Sequence, residues 1–228
     1  MIQFDHVSVA LNRRVVLDDL SFIVPDGATM VVTGSNGSGK STLIRLALGL
    51  LAPDAGRITS TGGLGARPRD ERGDHARQRG RPATIPTRRF TQRSAPAADR
   101  GGSAAVFQED RLCEQLTAVG NVAITLDRRI SRDSIRTELA RAGLSSDAFD
   151  RPVRLLSGGQ RRRICLVRAL MPPAQLICLD EPFTGIDSRS SRQTMAYVRE
   201  RLSGRATILV THSPVEAEFF GGSRLNLG

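Results

Sequence analysis

The chain has 228 residues, of which 39% are hydrophobic, and its 33 basic side chains outnumber 23 acidic ones to give a formal net charge of +10. This length and apolar content suit one large α/β domain or two small ones, and one domain over residues 1–228 is the simpler interpretation. The sequence shows no basic-then-apolar leader and no run of about 18 apolar residues, so we expect neither a signal peptide nor a membrane span.

The N-terminal segment has the pattern of antiparallel β-structure. "IQFDHVSVAL" (2–11) alternates as a half-buried strand does, and "LSFIVPDGATMVVTG" (20–34) predicts two more strands around a Pro-Asp-Gly turn. A short strand, "GRITST" (56–61), is predicted further along the chain.

A glycine-rich loop follows the strand pattern "TMVVTG" and matches the phosphate-binding spacing G-x-x-x-x-G-K-[ST]. A helix is predicted after it, because Leu43, Leu46, Ala47 and Leu50 fall on one face. Loop amides and the helix N-terminus would point at phosphates, and the Ser41 hydroxyl would reach a magnesium ion. We therefore predict that a nucleoside triphosphate binds with Mg²⁺ at Gly34, Ser35, Asn36, Gly37, Ser38, Gly39, Lys40, Ser41 and Thr42.

Lys40 is the only lysine among the 33 basic residues. Arginine is a broad planar fork, whereas lysine is a compact point charge that can reach between phosphate oxygens without displacing the backbone around them. We therefore expect that even Lys40→Arg impairs nucleotide binding.

Much of the positive charge lies in residues 64–103, where ten arginines and four acidic residues give +6, which leaves +4 for the other 188 residues. Leu64, Ile85 and Phe90 are the only large apolar residues there, and four prolines accompany them. Such a segment cannot bury a core, so we expect a disordered insertion that is dispensable for ATP binding. A genuine flexible insertion and a frameshifted segment both fit its Arg, Pro, Ala and Gly bias.

The second half of the chain alternates strands with helices, which indicates an α/β fold with a mainly parallel sheet covered on both faces. Cys165 and Cys178 lie in apolar runs without metal-type spacing, as buried free thiols of a reducing compartment do. The predicted elements are a strand end in "AAVFQED" (104–110), helices near 117–126 and 131–143, a helix capped by Ser157, and strands in "AQLICLDEP" (174–182) and "RATILVTHS" (205–213).

Two acidic residues end the predicted strand "LICLD", at the position where ligands of open α/β sheets bind. Asp180 would hold magnesium through its water shell, and Glu181 would orient or deprotonate the water that attacks the γ-phosphate. The alternative for such a pair is a turn or a helix cap, and the phosphate-binding loop favours the catalytic interpretation.

In order along the chain, "GSNGSGKST", "VFQED", "LSGGQ", "LICLDEP", "FTGID" and "VTHS" resemble the motifs of the nucleotide-binding subunit of ABC transporters. The resemblance covers nearly the whole chain outside residues 64–103. It implies a P-loop NTPase fold of ABC type, with an N-terminal antiparallel β subdomain and a helical subdomain. It also implies a homodimer in which ATP bound to one cassette contacts the partner's signature segment in trans, at the positions of Ser157, Gly158, Gly159 and Gln160.

The same resemblance assigns roles to three further residues. Gln108 would sense magnesium and the attacking water, Asp187 would communicate between the two ATP sites, and His212 would contact the γ-phosphate. Each has an ordinary alternative, because Gln108 could be a polar strand end, Asp187 a helix cap and His212 a turn residue.

One departure from the family pattern concerns the adenine. Counting back from Leu17, the usual aromatic residue is replaced by Leu11, and no aromatic residue lies between Phe4 and Phe22. We therefore expect weak base stacking, reduced affinity and loose discrimination between ATP and GTP.

The resemblance implies an ATPase that energises solute transport through integral membrane permease subunits, as an importer served by a substrate-binding protein. The stretch 106–126, "VFQEDRLCEQLTAVGNVAITL", is similar to the importers of the nitrate, sulfonate and taurine group. Such a subunit would lie peripherally on the cytoplasmic face of the inner membrane. The final "SRLNLG" leaves room for a last strand but not for a regulatory domain.

Two alternatives remain at the level of sequence. A soluble ABC-type ATPase acting on nucleic acid or the ribosome could use the basic insertion as a phosphate-binding arm, although we expect no direct nucleic-acid contact. A nucleotide clamp without turnover is favoured by Leu11 and the insertion and opposed by Glu181 and His212. The solute is not encoded in this chain, because the permease and the binding protein select it.

Overall fold

A computed structural model describes residues 1–60 and 102–228 of the chain. Short 3₁₀ turns lie at Ser146–Ala148 and Val153–Leu155. The strands and helices are β1 (Ile2–Leu11), β2 (Arg14–Val24), β3 (Thr29–Gly34), α1 (Lys40–Ala47), β4 (Ala55–Ser60), β5 (Gly102–Val106), α2 (Ala118–Ala123), α3 (Arg132–Arg141), α4 (Gly158–Leu170), β6 (Ala174–Asp180), α5 (Ser188–Arg201), β7 (Ala206–Val210), α6 (Pro214–Phe220) and β8 (Ser223–Leu227).

The described strands form two sheets. An antiparallel sheet has the order β2-β1-β4, and a parallel sheet has the order β5-β6-β7-β3-β8. Asn12 and Arg13 join β1 to β2 with positive φ angles of 52° and 64°, as a tight two-residue hairpin turn requires. The predicted mainly parallel α/β sheet with an antiparallel N-terminal sheet is confirmed.

The parallel sheet is covered on both faces because its side chains alternate. In β3, Met30 and Val32 join a core cluster with α1 and the antiparallel sheet, whereas Val31 joins a cluster with the helices of the second half.

Cys165 and Cys178 are buried and free, as predicted, and burial raises the pKa of Cys165 to about 12.

The helices α2 and α3 pack against each other and against α4, which forms the predicted helical subdomain. Side-chain caps set where both helices begin. The Thr117 hydroxyl accepts a hydrogen bond from the Gly120 amide, and the Ser131 hydroxyl accepts one from the Ser134 amide. Of the helices in the described ranges, none has the length and apolar character that a bilayer crossing requires.

Two sequence-based expectations need correction. Leu50 does not share the buried face of α1 but is 65% exposed, because the helix ends at Ala47 and Gly49, with a φ of 66°, turns the chain away. Gly102 and Ser103 belong to β5 and not to an insertion, because strand pairing with β6 orders backbone without large apolar side chains. The remainder of the predicted insertion, 64–101, lies outside the described residues.

Candidate active site

The candidate site lies where the parallel strands end. β3 ends at Gly34 and opens the phosphate loop, β6 ends at Asp180, and the segments after β5 and β7 carry Gln108 and His212. These four strands are neighbours and run in the same direction, so their carboxyl ends meet at one edge of the sheet. Four segments that are distant in sequence are thereby brought to one place.

Lys40 lies in the first turn of α1 and is only 8% exposed. Its Nζ donates hydrogen bonds to the carbonyl oxygens of Gly34 (2.8 Å) and Ser35 (2.7 Å), across the loop from its own backbone. The ammonium is therefore held inside the loop, with its charge directed at the space that the loop surrounds.

The backbone of the phosphate loop excludes larger residues. Gly39, the N-cap of α1, has a φ of 103°, and a Cβ there would lie 2.9 Å from Leu17 Cδ2. Ser38 Oγ is buried without a hydrogen-bond partner. A buried hydroxyl without a partner is costly unless a ligand satisfies it, and a phosphate oxygen has the chemistry to do so. The loop thus fits a nucleotide phosphate.

Ser41 and Asp180 meet beside the loop. Ser41 Oγ donates to Asp180 Oδ2 at 3.1 Å, and Asp180 is buried. Both residues, together with Gln108, line a cavity of about 340 Å³. Hydroxyl, carboxylate and amide oxygens are the hard ligands that magnesium prefers, and magnesium usually takes only one or two carboxylates, so these residues fit a magnesium ion.

Glu181 follows Asp180 in an unusual backbone conformation, with a φ of 48°. Its Oε1 lies 3.3 Å from His212 Nε2, and its side chain is 18% exposed. Burial raises the pKa of Glu181, while the nearby imidazole of His212 and the charge of Lys40 oppose that rise. A carboxylate with a raised pKa is a better general base near neutral pH than an ordinary one.

The signature segment, residues 156–160, begins α4 with a capping box. Gln160 N donates to Ser157 Oγ at 3.3 Å, and Ser157 N donates to Gln160 Oε1 at 2.9 Å. Gly159 packs so closely that a Cβ there would lie 2.8 Å from Gly185 O. No residue of 156–160 is among the described residues that line the two grooves beside the phosphate loop. Within one chain, the two half-sites are therefore not brought together.

Asp187 is the N-cap of α5. Its carboxylate accepts hydrogen bonds from Ser190 Oγ (2.5 Å), from Ser190 N (3.0 Å) and from Arg163 Nη2 (3.3 Å). These bonds lower the pKa of Asp187 to about 2, with Ser190 as the main cause and Arg163 as a further one. The helix-cap interpretation is thus observed, and communication between ATP sites stays a prediction.

Leu11 ends β1 directly opposite Arg14, across the hairpin turn. The groove on that side of the phosphate loop has a volume of about 500 Å³ and is lined by Arg14 and Val16 and by loop residues 35–38. Leu11 is not among its described lining residues, so base contact by Leu11 stays a prediction.

Sequence analysis missed Arg162, which is 2% exposed and lies between the segments that carry Gln108 and Glu181. A signal was available, because Arg162 falls on the same helical face as the buried Leu166. Residues 161–163 are all arginine, so residue type alone does not distinguish Arg162 from its two neighbours.

Comparisons with known proteins show the family to which the chain belongs. A family model described as "ABC transporter" matches residues 17–184. The chain is 30% identical to the phosphonates import ATP-binding protein PhnC of Frankia casuarinae over 239 residues, which cover 98% of this chain and 85% of that protein. It is 34% identical to the taurine import ATP-binding protein TauB of Pseudomonas aeruginosa over 214 residues, which cover 91% and 70%.

Among solved structures, the chain resembles a dimeric post-hydrolysis state of the ATP-binding cassette MJ0796 bound to ADP and Pi. The TM-score is 0.75 at 21% identity, with 100% of this chain and 94% of that chain covered, which shows a shared fold. The matched family model and the two relatives show that the chain belongs to the ABC transporter family, as an ATP-binding subunit with ATPase activity that energises transport.

Proposed function

We propose that this chain is the ATP-hydrolysing subunit of a solute importer and that it acts as a dimer of two cassettes with Mg²⁺. The observation that carries the proposal is the meeting of the Ser41–Asp180 pair and the Glu181–His212 pair beside the phosphate loop. One pair has oxygens that suit a metal ion, and the other has a carboxylate oxygen 3.3 Å from an imidazole nitrogen.

Each residue group has a separate task in hydrolysis. The loop amides and Lys40 bind and orient the phosphates of ATP. Ser41, Gln108 and Asp180 would hold magnesium, which neutralises charge on the β- and γ-phosphate oxygens when it is bound. Glu181 accepts a proton from the attacking water or orients it, and His212 lies close enough to fix the Glu181 carboxylate and to reach the γ-phosphate.

The separation of the half-sites within one chain supports the dimer. The N-terminus of α4 presents backbone amides and the positive end of a helix dipole, which suit an anion. Because residues 156–160 do not line the grooves at the phosphate loop of their own chain, the phosphates that they contact belong to a second cassette. Two ATP molecules are then enclosed between two chains.

Importer function is supported by the relatives, because PhnC and TauB are both named as import proteins. The partners are then integral membrane permease subunits and a substrate-binding protein, with the cassette on the cytoplasmic face, where ATP is available. The alternative ATPase acting on nucleic acid or the ribosome depends on the basic insertion, which lies mostly outside the described residues. Turnover stimulated by RNA and by no permease would favour that alternative.

Glu181→Gln is the sharpest test of the catalytic assignment. We expect turnover to fall at least about 100-fold, because a general base contributes about 10² to 10⁴ in rate. ATP should stay bound, and size-exclusion chromatography with MgATP should show a trapped dimer. The matched control is Glu218→Gln, on the exposed surface of α6, which should keep parental turnover. Wild-type turnover in Glu181→Gln would show that the base assignment is wrong.

A further inference from the structure

The guanidinium group of Arg162 is buried in the protein interior. It lies in the second turn of α4, and its five N–H bonds can each be matched with a main-chain carbonyl. Nε donates to Pro182 O (3.0 Å), Nη1 donates to Phe107 O (2.6 Å) and Gln108 O (3.4 Å), and Nη2 donates to Asp180 O (2.7 Å) and Glu181 O (2.6 Å).

These carbonyls belong to two segments with site residues. Residues 107–108 follow β5 and carry Gln108, whereas residues 180–182 end β6 and carry Asp180 and Glu181. The two strands are neighbours, but their hydrogen-bonded register ends at Val106 and Leu179. Beyond that point, the planar fork of Arg162 continues the connection that the sheet no longer provides.

Arg162 also supports the strained conformation of Glu181. A residue other than glycine with a φ of 48° is in the left-handed region, where its Cβ crowds the following carbonyl oxygen. The Glu181 N–H donates to Val210 O at 3.0 Å, and its carbonyl accepts from Arg162. Both polar groups of the peptide backbone at Glu181 are therefore held, which fixes the point from which its side chain extends to within 3.3 Å of His212 Nε2.

The charge of Arg162 is what makes these bonds strong. Burial lowers the pKa of Arg162, yet arginine keeps its proton in proteins, and Asp110 Oδ1 lies 3.6 Å from Nη1. Hydrogen bonds from an ionised donor are shorter and about twice as strong as neutral ones. A glutamine at this position offers two N–H donors and a lysine offers three, so neither can replace all five.

We propose that Arg162 is a positioning residue that fixes Glu181 relative to Gln108 and thereby sets the rate of hydrolysis without contributing to ATP affinity. The inference rests on the proposed function only in assigning hydrolysis to these residues. Its structural part, that one side chain holds both segments in place, can be measured without ATP.

The first experiment compares Arg162→Gln with Arg168→Gln by hydrogen exchange of the protein without nucleotide. Arg168 lies on the same helix and donates to Arg111 O (2.9 Å) and Asp110 O (3.2 Å). It therefore contacts the segment after β5 but has no hydrogen bond to residues 180–182 among these contacts. We expect Arg162→Gln to raise exchange at least about tenfold in peptides covering 107–110 and 180–184. Arg168→Gln should leave 180–184 unchanged.

The second experiment measures steady-state ATP hydrolysis by the same variants. We expect kcat of Arg162→Gln to fall at least about tenfold with KM within about threefold, and Arg168→Gln to keep kcat within about twofold. Equal losses of kcat in both variants, or a loss through KM alone, would overturn the proposal.

If Arg162→Gln does not fold, Arg162→Lys takes its place with the same expected direction. If neither variant folds, the proposal is also overturned, because Arg162 would then be required for folding and not specifically for positioning Glu181. A parent protein without turnover would contradict the proposed function, whereas unchanged exchange in 180–184 would contradict only the role of Arg162.

Discussion

Ser157→Ala separates the two roles of the signature segment, because a helix cap and a contact to ATP in trans predict different magnitudes. The substitution removes Ser157 Oγ, which accepts from Gln160 N at 3.3 Å. The reciprocal bond from Ser157 N to Gln160 Oε1, at 2.9 Å, is independent of the serine side chain and remains. Loss of an N-cap of this kind costs about 1 kcal/mol.

That cost is too small to alter turnover through stability. A destabilisation of about 1 kcal/mol lowers Tm by about 2–4 °C in a domain of this size. With a free energy of unfolding of about 5–15 kcal/mol, nearly every molecule stays folded at the assay temperature. If Ser157 were only a cap, the variant would hydrolyse ATP at the parental rate.

The chain offers a matched control in Ser131→Ala. Ser131 caps α3 in the same way, with Ser134 N donating to Ser131 Oγ at 3.1 Å, and it is exposed and far in sequence from every site residue. Both variants should lose about 1 kcal/mol in thermal unfolding followed by circular dichroism. At saturating MgATP, Ser157→Ala should lose at least about tenfold in turnover, which corresponds to about 1.4 kcal/mol of activation free energy. Equal turnover in the two variants would refute the role in trans and leave Ser157 as a cap.

Three further predictions concern other residues of the site. Lys40→Arg should weaken ATP binding in calorimetry at least about tenfold, because a planar fork does not fit between two loop carbonyls 2.7–2.8 Å from the ammonium; equal affinity would contradict this. Ser190→Ala should raise the pKa of Asp187 from about 2 toward its ordinary value in an NMR titration. The stability that Asp187 contributes is present above its unfolded-state pKa and lost as pH falls toward 2, so the variant should lose part of it, and an unchanged titration would exclude Ser190 as the main cause of the low pKa. Leu11→Tyr should raise affinity for ATP at least about threefold, and no change would show that the base lies elsewhere.

The parts of the site that are coded locally were predictable from sequence. The phosphate loop is a continuous stretch between a strand pattern and a helix pattern, and Ser157 precedes an apolar helical period directly. Asp180 directly follows the continuous apolar run 176–179, so its position at the sheet edge follows from the strand itself. In each case the information lies within about ten residues, which is the range over which period and turn chemistry act.

The contacts of Arg162 could not be predicted in this way. Its partners Phe107 and Glu181 are 55 and 19 residues away, so only the tertiary fold shows that their carbonyls converge. Helical spacing could predict that Arg162 lies on the buried face of α4, but it does not predict which groups accept hydrogen bonds from the guanidinium there. The prediction that Leu50 lies on the buried face of α1 was wrong for a local reason, because the helix ends and Gly49 turns the chain before the apolar period is complete.

The position of α4 connects these results physically. Its N-terminus carries Ser157, its second turn carries Arg162, and the next residue, Arg163, donates to Asp187 at 3.3 Å. Arg162 donates to Glu181 O at 2.6 Å and Arg163 donates to Asp187 at 3.3 Å, and Gly159 packs closely against Gly185 O, so α4 contacts both segments directly. Arg162 and Arg163 lie in the same helix that Ser157 caps, so we expect them to move with the signature segment if ATP of a second cassette displaces it. We therefore predict that the Glu181 and Asp187 segments respond together when ATP binds in trans, because α4 connects both to the signature segment.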